Sequence, residues 1–168
     1  MGINGKTVPG IDAGSAAAFT GHRAENLPWR FNDADSACCA LRAALASAIE
    51  AAYAEGKRIF LSGMATGTDT YAAEEVLLLK RKHPDMRLVC VFPCPSNDPR
   101  ALRIADSADE CLLLNGEYVP GCMQQRNRFL VENSSLIIAC YDGRHEGGTY
   151  QTLCLAQEKG LRIMLIGP

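Results

Sequence analysis

Arg58-Ile59-Phe60-Leu61-Ser62-Gly63-Met64-Ala65-Thr66-Gly67-Thr68-Asp69 reads as a short apolar strand, a turn with two glycines, and a helix start. The apolar run does not alternate with polar residues. Such a run is buried on both faces, which is how strands of a parallel sheet between helix layers read. The same unit recurs on both sides of it. Apolar runs stand at 16–20, 87–92, 110–114, 136–141 and 162–166, and helical segments lie between them. Leu41, Leu45, Ile49 and Tyr53 recur every fourth residue along a helix expected over 36–55, with Asp33, Asp35 or Ser36 as its cap and Gly56 at its exit. Further helices are expected at 68–82 (stopping before Pro84), from Pro99 to about residue 108, at 121–133 and at 149–159. Strand and helix in alternation give an α/β fold: a Rossmann-like, three-layer α/β/α domain with a mostly parallel sheet of about six strands. Residues 1–15, glycine-rich and without apolar periodicity, read as a flexible arm, and 16–168 as one domain.

With 168 residues, 48% of them hydrophobic and 21% charged, the chain is able to fill a core of this kind. The formal net charge is -2. Nucleic-acid binders usually carry a basic excess, because phosphate neutralisation dominates that affinity, so nucleic acid is not the expected partner. No apolar run reaches the length of a membrane span. The eight cysteines sit largely in apolar runs and read as buried free thiols in the reducing cytoplasm. Cys90 and Cys94 lack a second pair to complete a zinc pattern, so neither a metal nor a cofactor is expected.

In a doubly wound sheet the ligand crevice lies beyond the carboxyl ends of the strands, where the strand order reverses. Four segments are candidates. Thr20-Gly21-His22-Arg23 leaves the first strand, with a glycine for close approach and an arginine suited to phosphate. Gly63, Met64, Gly67, Thr68 and Asp69 belong to the turn quoted above, whose amides and helix start suit an anion. That turn lacks the Gly-Lys-Ser/Thr ending of a Walker loop. Gly147, Gly148 and Thr149, after Asp142 and Glu146, form a second such helix start. Arg126 and Asn127 share a helix face with Met123 and Leu130, a polar pair on an apolar face. Each segment also has an ordinary reading as a capped turn or a solvated surface.

In this order the four elements resemble the SLOG superfamily of Rossmann-like proteins, and within it the YpsA-like family. The matching pieces are Phe19-Thr20-Gly21-His22-Arg23 with Leu27-Pro28-Trp29, then residues 62–69 with Ala72-Ala73-Glu74, then Arg126-Asn127, then Asp142-Gly143 followed by Gly147-Gly148-Thr149. The resemblance implies a nucleotide or nucleotide-derived phosphorylated ligand, bound by a sensor or regulator that forms a homodimer or higher homo-oligomer. It also implies that the first strand lies beside residues 136–141, so that His22 and Gly147 meet. The superfamily contains phosphoribohydrolases that cleave the N-glycosidic bond of nucleoside monophosphates, and a DNA-processing protein. Hydrolysis is therefore the alternative reading, with Arg126, Glu146 and Asp142 as catalytic candidates. The phosphoribohydrolases carry a glutamate three residues after the threonine of their last glycine loop. Here that position is Thr152, and loss of such a carboxylate lowers a hydrolytic rate.

Overall fold

A computed structural model describes residues 10–167 of the chain. Eleven regular elements follow one another: β1 (Ala16–Gly21), α1 (Ser36–Ala54), β2 (Ile59–Ser62), α2 (Thr68–Leu79), β3 (Arg87–Phe92), α3 (Pro99–Ser107), β4 (Glu110–Leu113), α4 (Cys122–Glu132), β5 (Leu136–Cys140), α5 (Gly147–Glu158) and β6 (Arg162–Ile166). The six strands form one parallel sheet in the order β4-β3-β2-β1-β5-β6. The order reverses between β1 and β5, which places the crevice expected of such sheets there.

The central strands are buried on both faces because each face meets its own core. Phe19, Phe60, Leu88 and Ile138 pack against Leu41, Leu45, Ile49 of α1 and Tyr71 of α2. Ala18, Leu61, Val89 and Ile137 pack against Leu130 of α4 and Leu153 of α5. Helix starts follow sequence chemistry. Asp35 Oδ1 accepts from Ala37 N at 2.8 Å, and Asp98 Oδ1 from Arg100 N at 3.0 Å with Pro99 opening α3. By length and composition α1 is apolar enough to cross a membrane, contrary to the reading that no segment is. Its apolar stripe is instead spent on the core, through Leu41, Leu45 and Ile49.

Several boundaries differ from the sequence reading. Helix α2 ends at Leu79, short of residue 82, and α5 begins at Gly147 rather than Thr149, so the glycine pair forms its first turn. The flexible arm expected over 1–15 falls in part outside the described residues, and its last part is anchored. Asp12 accepts from Gly14 N and Ser15 Oγ, and Lys57 Nζ donates to Gly14 O at 2.7 Å.

Candidate functional site

The chain leaves β1 through Gly21 and at once meets the start of α2. A Cβ at Gly21 would stand 2.5 Å from Thr68 Oγ1. Both Thr68 N and Thr68 Oγ1 donate to His22 O, at 3.2 and 3.1 Å. Gly67, with φ of +87°, runs under the same segment, where a Cβ would come within 2.6 Å of Ala24 N. Gly67 and Thr68 thus hold the main chain of residues 22–24 in place. Neither lines the crevice.

The turn after β2 uses its amides internally. Met64 N donates to Ser62 Oγ at 3.3 Å, Ala65 N to Asp69 Oδ2 at 3.2 Å, and Ser62 Oγ donates to Asp69 O at 2.8 Å. What the turn shows to the crevice is Ala65 and the Asp69 carboxylate. Asp69 is 6% exposed. Burial pushes its carboxyl above the ordinary range, against the pull of the Arg126 charge and the Ala65 amide. Met64, at φ +60°, is a buried non-glycine residue in left-handed backbone, a strained conformation that concentrates at functional sites.

Arg126 comes in from α4 and is 5% exposed. Its Nη1 donates to Gly63 O, and its Nε donates to Asn127 Oδ1 at 2.8 Å. Burial lowers its pKa, but a guanidinium stays charged in proteins. Across the crevice, α5 begins just after Glu146, whose side chain makes no cap. The Gly147, Gly148 and Thr149 amides donate to no acceptor among the described residues. A helix start in that state suits an anion by dipole and donors together.

These groups enclose one cavity of about 610 Å³. Of the residues singled out in the sequence, Thr20, Gly21, His22, Arg23, Asp69, Arg126, Asn127, Glu146, Gly147, Gly148 and Thr149 line it. Gly63 and Met64 line an adjoining compartment of about 180 Å³, which shares Arg23, Ala65, Met123 and Arg126 with the first. Asp142 lines neither compartment. It stands behind His22, with Oδ1 3.2 Å from His22 Nε2, though without the alignment of a hydrogen bond. Burial raises its carboxyl, but the Arg144 amide and guanidinium and His22 outweigh that and hold it below the usual range. Thr152, in place of the phosphoribohydrolase glutamate, donates to Gly148 O at 2.8 Å inside α5 and lies outside the cavity.

Sequence reasoning missed Asn26, Gln124, Arg144 and Gln151, which also line the cavity. Gln151 stands one helical turn after Gly147, a spacing that carried the signal. Arg144 has no pattern that marks it. Among the described residues no group of three or more His, Cys, Asp or Glu forms a metal cluster. The cavity wall carries three guanidinium groups, Arg23, Arg126 and Arg144, against the carboxylates of Asp69 and Glu146. The crevice can therefore hold an anion at the α5 end and polar groups along α4.

The sequence profile described as the YspA SLOG family matches residues 17–164. The chain belongs to this family. As a YspA SLOG protein it resembles the Bacillus subtilis (strain 168) "Uncharacterized SPbeta prophage-derived protein YoqJ", at 32% identity over 113 residues. That match covers 55% of this chain and 66% of the relative. A "UPF0398 protein" of Bacillus pumilus (strain SAFR-032) is 24% identical over 140 residues, covering 77% of this chain and 75% of its own. Among solved structures, the fold matches the single-stranded-DNA-binding DNA processing protein A of Helicobacter pylori. The TM-score is 0.64 at 16% identity, over 92% of this chain and 66% of the other.

That last likeness corrects one expectation. The net charge of -2 makes nucleic acid an unlikely partner on sequence grounds, yet a protein of this architecture binds single-stranded DNA. Net charge averages over the whole surface, whereas phosphate responds to the local field. In this YspA SLOG protein Arg23, Arg126 and Arg144 line the crevice beside Asp69 and Glu146.

Proposed function

We propose that the crevice binds a phosphate-bearing nucleotide, free or as a unit of a single strand. In this reading the phosphate sits on the uncapped start of α5, and Arg126 and Asn127 bind the sugar-phosphate side. The observation that carries it is the convergence of the Gly147–Thr149 amides, His22, Arg23 and Arg126 on one cavity. Membership of the SLOG family and the DNA-binding neighbour point toward the same ligand chemistry. The free thiols among the described residues fit a reducing compartment such as the cytoplasm. Calorimetry with nucleoside mono-, di- and triphosphates and a short oligothymidylate tests it. At least one ligand binds, more weakly as salt rises. Failure of every ligand to bind at low salt contradicts the proposal.

One observation favours hydrolysis of an N-glycosidic bond as a second reading. Asp69 is a buried carboxyl with a raised pKa that lines the same cavity, as a general acid requires. The Asp69 proton would pass to the departing base nitrogen, and the water that adds to the anomeric carbon would return a proton to the Asp69 carboxylate, giving free base and a sugar phosphate. Chromatography of a nucleoside monophosphate incubated with the protein reads this directly. Base released by the parent and not by Asp69→Asn supports it, and no release by the parent contradicts it.

A further inference from the structure

The compartment of about 180 Å³ beside the main cavity is opened by the loop that follows β3. Pockets that bury a whole drug-sized molecule run from about 300 to 1,000 Å³; this one has room for a single ring system. Its walls differ from those of the main cavity. Met64, Phe92, Pro93, Pro95 and Met123 make it apolar. Prolines present no amide, and the one carbonyl of Pro93 already accepts from Asn115 Nδ2 at 2.8 Å. Thioether and proline faces favour a flat, polarisable guest.

Polar groups stand at one end of this slot. Ser96 Oγ accepts from Asp98 N at 3.1 Å, which leaves its hydroxyl proton to donate. Asp98 uses Oδ1 to cap α3 at Arg100 N, leaving Oδ2 as an acceptor. A donor and an acceptor at the rim of an apolar slot match the edge of a heterocycle that carries a ring nitrogen and an amine. The Asp98 carboxylate disfavours a phosphate here, while the start of α5 attracts one. The polarity of the two compartments therefore orients a guest that has an anionic end and a flat end.

The partition between the compartments is thin. Arg23 Nη2 and Met123 Sδ meet across it at 3.7 Å, and both residues line both sides. Both side chains are long and flexible, so a guest can part them. Beneath them Arg126 extends along both compartments. We propose that this slot between the β2 and β3 loops is the base-binding subsite of the ligand site, taking the nucleobase of a nucleotide whose phosphate rests on α5. The inference rests on the nucleotide-binding reading above.

Two measurements test it. The first is calorimetry with adenosine monophosphate and with ribose 5-phosphate, on the parent and on Cys94→Phe. Residue 94 is half-buried in the wall of the slot and away from the main cavity, so the larger ring fills only the subsite. In the parent the nucleotide binds more tightly than ribose 5-phosphate by about tenfold, a small return for one stacked base. In Cys94→Phe that advantage disappears while ribose 5-phosphate affinity is unchanged. A nucleotide advantage that survives the substitution, or an equal loss for both ligands, overturns the subsite and leaves phosphate binding standing. Binding of neither ligand to the parent overturns the subsite together with the underlying reading.

The second measurement uses the unaltered protein. Alkylation of Cys94 by iodoacetamide is followed by peptide mass spectrometry, with exposed Cys39 on α1 as the reference. Adenosine monophosphate slows modification of Cys94 relative to Cys39, and ribose 5-phosphate does not. Equal rates with and without the nucleotide overturn the proposal.

Discussion

The Arg126 side chain lies so close over Gly63 that a methyl group on residue 63 would stand 2.6 Å from its Nη1 and 2.8 Å from its Cζ. The glycine is there for space, because its backbone is not in the left-handed region. The guanidinium is fixed from below by the Gly63 carbonyl and from the side by Asn127, so it stands ready at the junction of the two compartments. Gly63→Ala pushes it out of place. Overpacking of this kind costs about 1–3 kcal/mol, and with it goes the ligand-facing geometry. Urea denaturation should show that loss, and nucleotide affinity should fall with it. A variant with unchanged ligand affinity argues against Arg126 as a ligand contact.

Gly148 offers the opposite case. A Cβ there meets only Asn127 Nδ2, at an ordinary 3.7 Å. Gly148→Ala should therefore leave stability the same or slightly higher, since alanine is favoured over glycine in a helix by up to about 1 kcal/mol. If a phosphate rests on the amides of the first turn of α5, the added methyl intrudes on it. The expected result is weaker ligand binding, read by calorimetry, in a protein whose melting temperature is not reduced.

Asp69 makes stability depend on pH in a defined direction. Burial raises its carboxyl in the folded protein. The folded state then binds a proton that the unfolded state has released, so this residue's contribution is intact below the ordinary aspartate range near pH 4 and is lost as pH rises through the raised value. Asp69→Asn removes that titration and can still accept from Ala65 N. Melting curves should show the variant gaining on the parent at pH 7–8, with the gain shrinking as the pH approaches 4. A gain that grows toward low pH contradicts the assignment.

The long loop between β1 and α1 is held by a network outside the crevice. Trp29 Nε1 donates to Tyr71 OH at 3.3 Å, and Tyr71 OH donates to Asp33 Oδ1 at 3.2 Å. Asp33 Oδ2 accepts from Arg100 Nη1 at 2.7 Å, and Arg100 also holds Glu74 with two bonds. Burial, more than any partner, pushes the Tyr71 hydroxyl up to about 12. Tyr71→Phe leaves the buried Trp29 donor without a partner, at a cost of about 1–3 kcal/mol. Trp29 is the chain's one tryptophan, so its emission reports the loop directly. The emission maximum should shift while far-ultraviolet circular dichroism stays constant.

The fold was legible in sequence because its signals were local. Continuous apolar runs marked the strands, Leu41, Leu45 and Ile49 marked the buried side of α1, and Asp35 and Asp98 marked helix starts. The candidate segments all fell at the carboxyl edge of the sheet for the same reason. What each segment does there depends on partners remote in sequence. Thr68 reads as a cap or an anion donor until His22 O is seen to take both its hydrogen bonds. The amides of Met64 and Ala65 look available until Ser62 and Asp69 claim them. Arg144 and the slot beside Pro93 and Pro95 carry no motif, since only the folding of the β3 and β5 loops beside α4 gives them a role. Net charge is silent on such local clustering: Arg23, Arg126 and Arg144 come from three separate segments and meet only in the folded crevice.

The most direct test of a phosphate cradle on α5 is an amide-resolved nuclear magnetic resonance titration with a nucleoside monophosphate and, separately, a short single strand. With phosphate bound on α5, the largest shifts fall on the Gly147, Gly148 and Thr149 amides and the Arg126 side chain, saturating together. Saturable binding that leaves those resonances still while shifting others, or no binding by either ligand, would contradict it.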